Sequence, residues 1–287
     1  MMDAKVAVEK YMREGAVVGV GGMHMHNNPM ALIREIIRQR KMVGTLVTSP
    51  SGSINADMLI GSGLVDTILT SYVGFEHLGL APNFRSSVES KKVKLRDVDE
   101  GFIVYGLRAG SSSLPFMTFP EGIVTDLPAA NPDDYKHVTD PFSGKRYLCA
   151  KAIQPDLSII HCQKADEYGN AIFEGSVFTD FEMLKASDKV ILQVEEVVPN
   201  EYIIKHRSKA MVPAFLVDAV VRAPFGCHPT ASHNYYTYDE EHFKMYMDRT
   251  KTDFPGYLDS YVFQCKSHDE YIEKVGREKL KSLVEGV

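Results

Sequence analysis

GVGGMHMHNNPMALIREIIRQ, Gly19–Gln39, decides how this chain is read. It grows out of Ala16–Val20, a short apolar run that suits a buried parallel strand. After its glycines come two histidines and two asparagines. Pro29 then stands where a helix favours a first-turn proline, and the periodic ALIREIIRQRK follows. In a strand, turn and helix of this kind, glycines let a ligand approach the backbone. Free N–H groups at the helix start offer an anion or oxyanion site. A dinucleotide fingerprint fails because position 24 is His24 rather than glycine, and a Walker loop fails for want of Gly-Lys-Ser/Thr. His24 and His26, a His-x-His pair, point the same way on an extended segment and could bind zinc with His228 and His233. No cysteine or carboxylate sits at ligand spacing nearby, so they read as polar loop residues and no metal is expected. The plain alternative for the loop is a tight turn that binds nothing.

Outward from this unit the pattern alternates. Ala4–Glu14 reads as an amphipathic helix stopped by Gly15. Gly44–Pro50 reads as a strand and turn, Ala56–Gly61 as a short helix, and Val65–Ser71 as a third strand. Phe102–Ser112 reads as a helix running into a loop at Leu114-Pro115. Leu157–Cys162, Lys189–Val198 and Phe215–Val221 read as strands, and Val177–Ser187 as a helix. Ser267–Gly286 reads as a C-terminal helix, with Ser267 as its cap and acids in its first turn. This alternation predicts an α/β protein with a mostly parallel sheet and helices on both faces. Neither a repeat nor a low-complexity linker stands out. The polar stretch Pro128–Arg146 is expected to be a surface excursion within one domain spanning residues 1–287.

The 287 residues are 44% apolar and 24% charged, the proportions of an ordinary globular protein. A net charge of −6 gives no basic face for nucleic acid. No apolar run reaches the roughly 18 residues that would span a membrane, and the N-terminus does not read as a signal peptide. Cys149, Cys162, Cys227 and Cys265 lie far apart, which favours reduced thiols in a cytoplasmic protein over disulfides or zinc.

Several longer stretches carry a family resemblance. They are Val20-Gly21-Gly22 with the Pro29 helix, DMLIGSGLVD (Asp57–Asp66), Leu114-Pro115-Phe116, DPFSGKRYLCAKAIQPDLSIIHCQKADEYGNA (Asp140–Ala171), and LVDAVVRAPFGCHPT (Leu216–Thr230) with Tyr238-Asp239. The chain resembles the alpha (A) subunit of family I coenzyme A-transferases, most closely the glutaconate CoA-transferase branch. The resemblance implies two homologous halves, alpha and beta, in an α2β2 or larger assembly. It implies no permanently bound cofactor, with a coenzyme A thioester as substrate. A glutamate of the beta half would attack the acyl-CoA thioester, giving a mixed anhydride and then a glutamyl-CoA thioester, and the acceptor acid would reverse the steps. The Ser-Glu-Asn-Gly motif of a beta half is absent from this chain.

The resemblance also suggests roles for individual residues. Gly21, Gly22 and Met23 resemble the family's Gly-x-Gly-Gly-Phe element, with Met23 in place of the aromatic, and His24 follows it. Amides there would stabilise the oxyanion, at roughly 3–4 kcal/mol per donor. Related 3-oxoacid transferases carry Pro-Glu-Asn where this chain has Pro29-Met30-Ala31, so His24, His26, Asn27 or Asn28 would take over that asparagine's part. Ser71 and Tyr72, after a predicted strand, would help hold the acid substrate, and Arg85 would pair with its carboxylate. Asp99-Glu100-Gly101 reads as an acidic turn complementing a helix dipole. A side branch of the same fold hydrolyses a carbon–carbon bond in a ring of a steroid-derived acyl-CoA, and there Glu100 would be the general base. A binding subunit that has lost the chemistry is the non-enzymatic alternative. Phe225–Pro229 reads as a structural turn in which Cys227 and His228 point apart, and Tyr235, Tyr236 and Tyr238 as cover for a subunit contact.

Overall fold

The computed structural model describes residues 1–120, 125–209 and 211–284. Its centre is a parallel sheet of β1 (Ala16–Val20), β2 (Val43–Thr48), β3 (Val65–Thr70), β4 (Lys94–Asp97), β5 (Leu157–Ala165), β6 (Lys189–Val197) and β7 (Ala219–Arg222), in the order β7-β6-β5-β1-β2-β3-β4. Ala171–Ile172 and Met211–Val212 extend it antiparallel beside the end of β5. The chain runs outward from β1 through β4, then returns to lay β5 on the other side of β1. The strand order therefore reverses between β1 and β5, and a crevice forms at such a point beyond the carboxyl ends of the strands.

Side-chain alternation along each strand splits the core in two. Val18, Val20, Leu46, Ile159 and Ile191 pack on one face with Ile33, Ile36, Leu59 and Phe243. Val47, Leu69, Ile160, Cys162 and Leu192 pack on the other with Phe102, Leu107, Met183 and Leu184. Both faces are covered, as the runs of apolar residues in the strands require. On the first face the helices Ile54–Gly61, Pro82–Glu89 and Glu240–Thr252 are tied by one buried carboxylate. Asp57 accepts the Phe84 amide (2.7 Å), the Tyr246 hydroxyl (2.6 Å) and the Asn83 side-chain amide (3.1 Å).

Several boundaries differ from the sequence expectation. The first helix is Ala4–Tyr11, ending before Gly15, whose φ is +71°. The expected Val177–Ser187 helix begins only at Asp180 and ends at Ala186. A 3-10 turn, Ala214–Leu216, replaces the start of the expected Phe215–Val221 strand. Gly276, at φ +100°, divides the C-terminal helix into His268–Val275 and Arg277–Val284, and the last two residues expected in it lie outside those described. Part of the polar 128–146 stretch is strand. Tyr135–Thr139 joins Phe116–Thr118 and Arg146–Lys151 in a small antiparallel sheet. Among the described residues no helix is long and apolar enough to cross a membrane.

Candidate active site

Loops following the strands meet at the crevice. After β1 the chain turns through Gly21 and Gly22, the latter at φ +82°, and reaches the Met30–Arg38 helix. His24 (φ +51°) and Asn27 (φ +55°) give this segment its tight hairpin course, closed by the bonds between Met23 and His26. The loop leans on its neighbours: the His24 amide donates to Ser51 O (3.0 Å), and the Asn55 side chain to Gly21 O (3.4 Å).

The amides expected to receive an oxyanion are engaged within the chain. Gly21 N–H donates to Ile159 O (3.0 Å), Gly22 N–H to Asp180 Oδ1 (2.7 Å) and Met23 N–H to His26 O (3.0 Å). The helix N-terminus, expected to be open, is also filled. Gln193 Oε1 on β6 accepts from Ala31 N (3.0 Å) and Leu32 N (3.3 Å), so a neutral amide occupies the place of an anion. Met23, His24 and His26 are the loop residues that stay partly exposed.

His24 Nδ1 pairs with the Glu76 carboxylate, and its ring lies 6.4 Å from that of Tyr72. Burial and then Glu76 push the Tyr72 phenol up. The structure thus brings His24 and Tyr72 together at the mouth of the crevice. Ser71 is turned away from them, its hydroxyl donating to Pro50 O. Arg85 is exposed and paired with Glu89 one turn along its own helix (2.8 Å). Glu100 is exposed and opens the Glu100–Ser111 helix, whose cap Asp99 accepts Phe102 N–H (3.0 Å). It sits at the carboxyl edge of β4, on the same rim of the sheet. A cavity of about 620 Å³ lined by Tyr105 of that helix, Phe116, Phe119 and Tyr147 opens over the small antiparallel sheet.

Beneath the mouth lies a buried polar network that the sequence reading missed. Glu195 on β6 accepts from the Tyr236 hydroxyl (2.6 Å) and from Phe225 N–H (2.6 Å). Burial pushes its pKa up to about 7. His161 on β5 lies 3.4 Å from Glu195, meets Ser232 Oγ (3.0 Å) and the Gln193 amide (3.0 Å), and is held down to about 3, first by burial. Gln163 donates to Asn27 Oδ1 (3.1 Å). At the edge His26 and His233 lie 5.1 Å apart, ring to ring, and burial followed by His233 lowers the His26 pKa. Asn28 donates to His24 O (2.8 Å). The one available signal was polar residues breaking apolar strands in their second halves: His161 and Gln163 in IIHCQ, Gln193 and Glu195 in ILQVE.

Tyr236 corrects the idea of a tyrosine cluster at a contact surface, because it is interior and holds Glu195. His233 does come to His26, but His228 does not join the loop histidines in one ligand set. His228 is buried elsewhere, its ring nitrogens on the Tyr271 hydroxyl (2.7 Å) and Asp239 (3.1 Å), while Cys227 packs with Tyr236, Leu280 and Leu283. Among the described residues, two buried groups have donor atoms within 4.8 Å of one another: His161, Glu195 and Cys227, and His228, Asp239 and His242. The hydrogen bonds of the first already use its carboxylate and imidazole. In the second, Lys279 lies 3.3 Å from Asp239 and Arg34 donates to His228 O (3.0 Å), and cations so close oppose a metal ion.

With this geometry the family follows. The family model for coenzyme A transferases matches residues 1–223, and the chain belongs to that family. It is 31% identical to the alpha (A) subunit of the glutaconate CoA-transferase of Acidaminococcus fermentans, over 99% of this chain and 94% of that one. The crystal structure of that organism's glutaconate coenzyme A-transferase superposes with a TM-score of 0.92 at 29% identity, covering 98% of this chain and 94% of the other. The chain is 33% identical, over 97% of its length, to an uncharacterized Archaeoglobus fulgidus protein, of which it spans 62%. It is 30% identical to a cholesterol ring-cleaving hydrolase IpdA subunit of Rhodococcus jostii over 84% of each chain. A variant of the decarboxylase AibA/AibB superposes with a TM-score of 0.80 at 29% identity, over 90% of this chain and 95% of that one.

Proposed function

We infer that this chain is the alpha half of a hetero-oligomeric CoA-transferase that moves coenzyme A between an acyl-CoA and a free short-chain or dicarboxylic acid, with the nucleophilic glutamate on a homologous beta subunit. The observation that carries this is the state of four carboxylates at the glycine loop and in the network beneath it. Asp180 is bound to the Gly22 amide, Glu195 to Tyr236 and Phe225, Glu174 to Lys164 and Lys209, and Glu76 to His24. A nucleophile must be an accessible carboxylate aimed at the thioester carbonyl, and these four are committed to holding loops. The likeness to the alpha half of the glutaconate enzyme supports the same division of labour. The Tyr72–His24 mouth is the part of the acid pocket this chain supplies, and the coenzyme A thioester is a substrate, not a resident cofactor. The assembly is α2β2 or larger and cytoplasmic. Co-expression with the beta chain followed by light scattering tests the assembly. A mixed complex is expected, and two separate homogeneous species would contradict it.

One observation favours a second reading, CoA-dependent carbon–carbon hydrolysis. Glu100 is exposed on the ligand-bearing rim, and the helix it opens contributes Tyr105 to an aromatic cavity large enough for a ring system. The likeness to the ring-cleaving hydrolase subunit points the same way.

A further inference from the structure

We propose that Asp180 is the positioning residue of the glycine loop, fixing the Gly21–Gly22 turn and through it the place of His24 at the crevice. Asp180 is 1% exposed and begins the Asp180–Ala186 helix, whose Met183 and Leu184 pack with Ile160 and Cys162 of β5. Its Oδ1 accepts the Gly22 amide at 2.7 Å, the bond that turns this peptide away from the strand direction. A side chain at Gly21 would put its Cβ 2.3 Å from the same oxygen and 3.1 Å from Ile160 Cγ1. The carboxylate thus takes up the room a side chain would need, and glycine at 21 and aspartate at 180 form one device. Gly22 has its own constraint. At φ +82°, a Cβ there would come 2.6 Å from Asn27 O, so the turn closes on the hairpin that carries His24.

Two substitutions then act on one contact and are not additive, as residues sharing a contact are not. Asp180→Ala removes the acceptor. Gly21→Ala pushes it off the Gly22 amide. In the double variant the missing carboxylate leaves room for the new methyl, so the second change adds little. Asp180→Asn keeps an oxygen acceptor in place.

Hydrogen exchange of the 21–28 segment in the purified chain measures this directly. Exchange at the Gly22 amide should rise at least tenfold in Asp180→Ala and in Gly21→Ala, stay within about threefold of wild type in Asp180→Asn, and rise no further in the double variant. Exchange in Asp180→Ala or Gly21→Ala within twofold of wild type, or multiplied effects in the double variant, would overturn the proposal. If Asp180→Ala does not fold, Gly21→Ala and Asp180→Asn carry the same comparison. A kinetic arm rests on the transfer reading above. In the assembled enzyme Asp180→Ala should lower kcat more than tenfold with KM for acyl-CoA within twofold, and Asp180→Asn should restore kcat to within threefold. A raised KM with unchanged kcat would contradict a positioning role. A wild-type complex without transfer would refute the transferase reading and leave the exchange result to decide on Asp180.

Discussion

The Tyr236 hydroxyl donates to Glu195 Oε1 at 2.6 Å inside the protein, with Phe225 N–H on the other oxygen and His161 3.4 Å away. This links β6 to the segment after β7, and it leaves a carboxyl whose pKa burial has raised from 4.5 to about 7. A carboxyl with a raised folded-state pKa contributes stability in full below its unfolded value and loses that contribution as pH climbs to the folded value. Between about pH 4.5 and 7 the wild-type chain should therefore lose stability through this group. Glu195→Gln removes the titration. Relative to wild type, the variant should fare better at pH 8 than at pH 5 by roughly 2–3 kcal/mol, read from urea midpoints at the two pH values. Equal differences at both would show that Glu195 does not titrate in this window.

Gln193→Ala should destabilise the chain by about 1–3 kcal/mol. It uncaps Leu32 at the start of the Met30–Arg38 helix, leaves Ala31 N–H with Gly226 O alone, and strips His161 of its amide partner. Chemical denaturation gives the value, and a loss under about 0.5 kcal/mol, the range of an ordinary surface change, would show that water replaces the cap.

Tyr246→Phe removes one of the donors on Asp57, a buried carboxyl that burial raises to about 6. The amides of Phe84 and Asn83 remain. A loss of about 1–3 kcal/mol is expected, seen as a lower thermal midpoint. An unchanged midpoint would mean that Asp57 ties the three helices without the phenol.

The parallel core was legible because β1, β5 and β6 are dense in Val, Ile and Leu, and fully buried strands need no polar face. β4, with the sequence KLRD, was not: it is an edge strand, and charged residues suit an edge. The antiparallel strands around Tyr135–Thr139 and Arg146–Lys151 were hidden for a similar reason, since their outward residues are polar. The site was half legible. The glycine turn and Tyr72 stood out by position in the pattern. Gln193, Glu195 and His161 were read as parts of apolar runs, and only tertiary partners far along the chain, such as Tyr236 and Ala31, show what their polar atoms do. Arg85 could not be judged from sequence, because its partner Glu89 and a carboxylate substrate compete for the same guanidinium.

Glu100→Gln separates the two chemistries. If transfer runs through a beta-chain glutamate, the change removes a helix-end charge worth roughly 0.3–1 kcal/mol, and transfer in the assembled complex should fall less than about tenfold. A general base would be missed by roughly 100-fold to 10,000-fold. Turnover with and without an acceptor acid, checked against assembly and thermal stability, reads the difference. Complete loss of acceptor-dependent turnover in an intact complex would overturn the assignment of the nucleophile to the beta chain alone.

The most direct measurement is coenzyme A transfer by this chain alone, by the beta chain alone and by the two mixed. Since the carboxylates at the glycine loop and in the network beneath it are bound to Gly22, Tyr236, His24 and two lysines, neither chain alone should move coenzyme A from an acyl-CoA to a free acid. The mixture should do so in proportion to the complex formed. Robust transfer by the purified single chain would contradict the account.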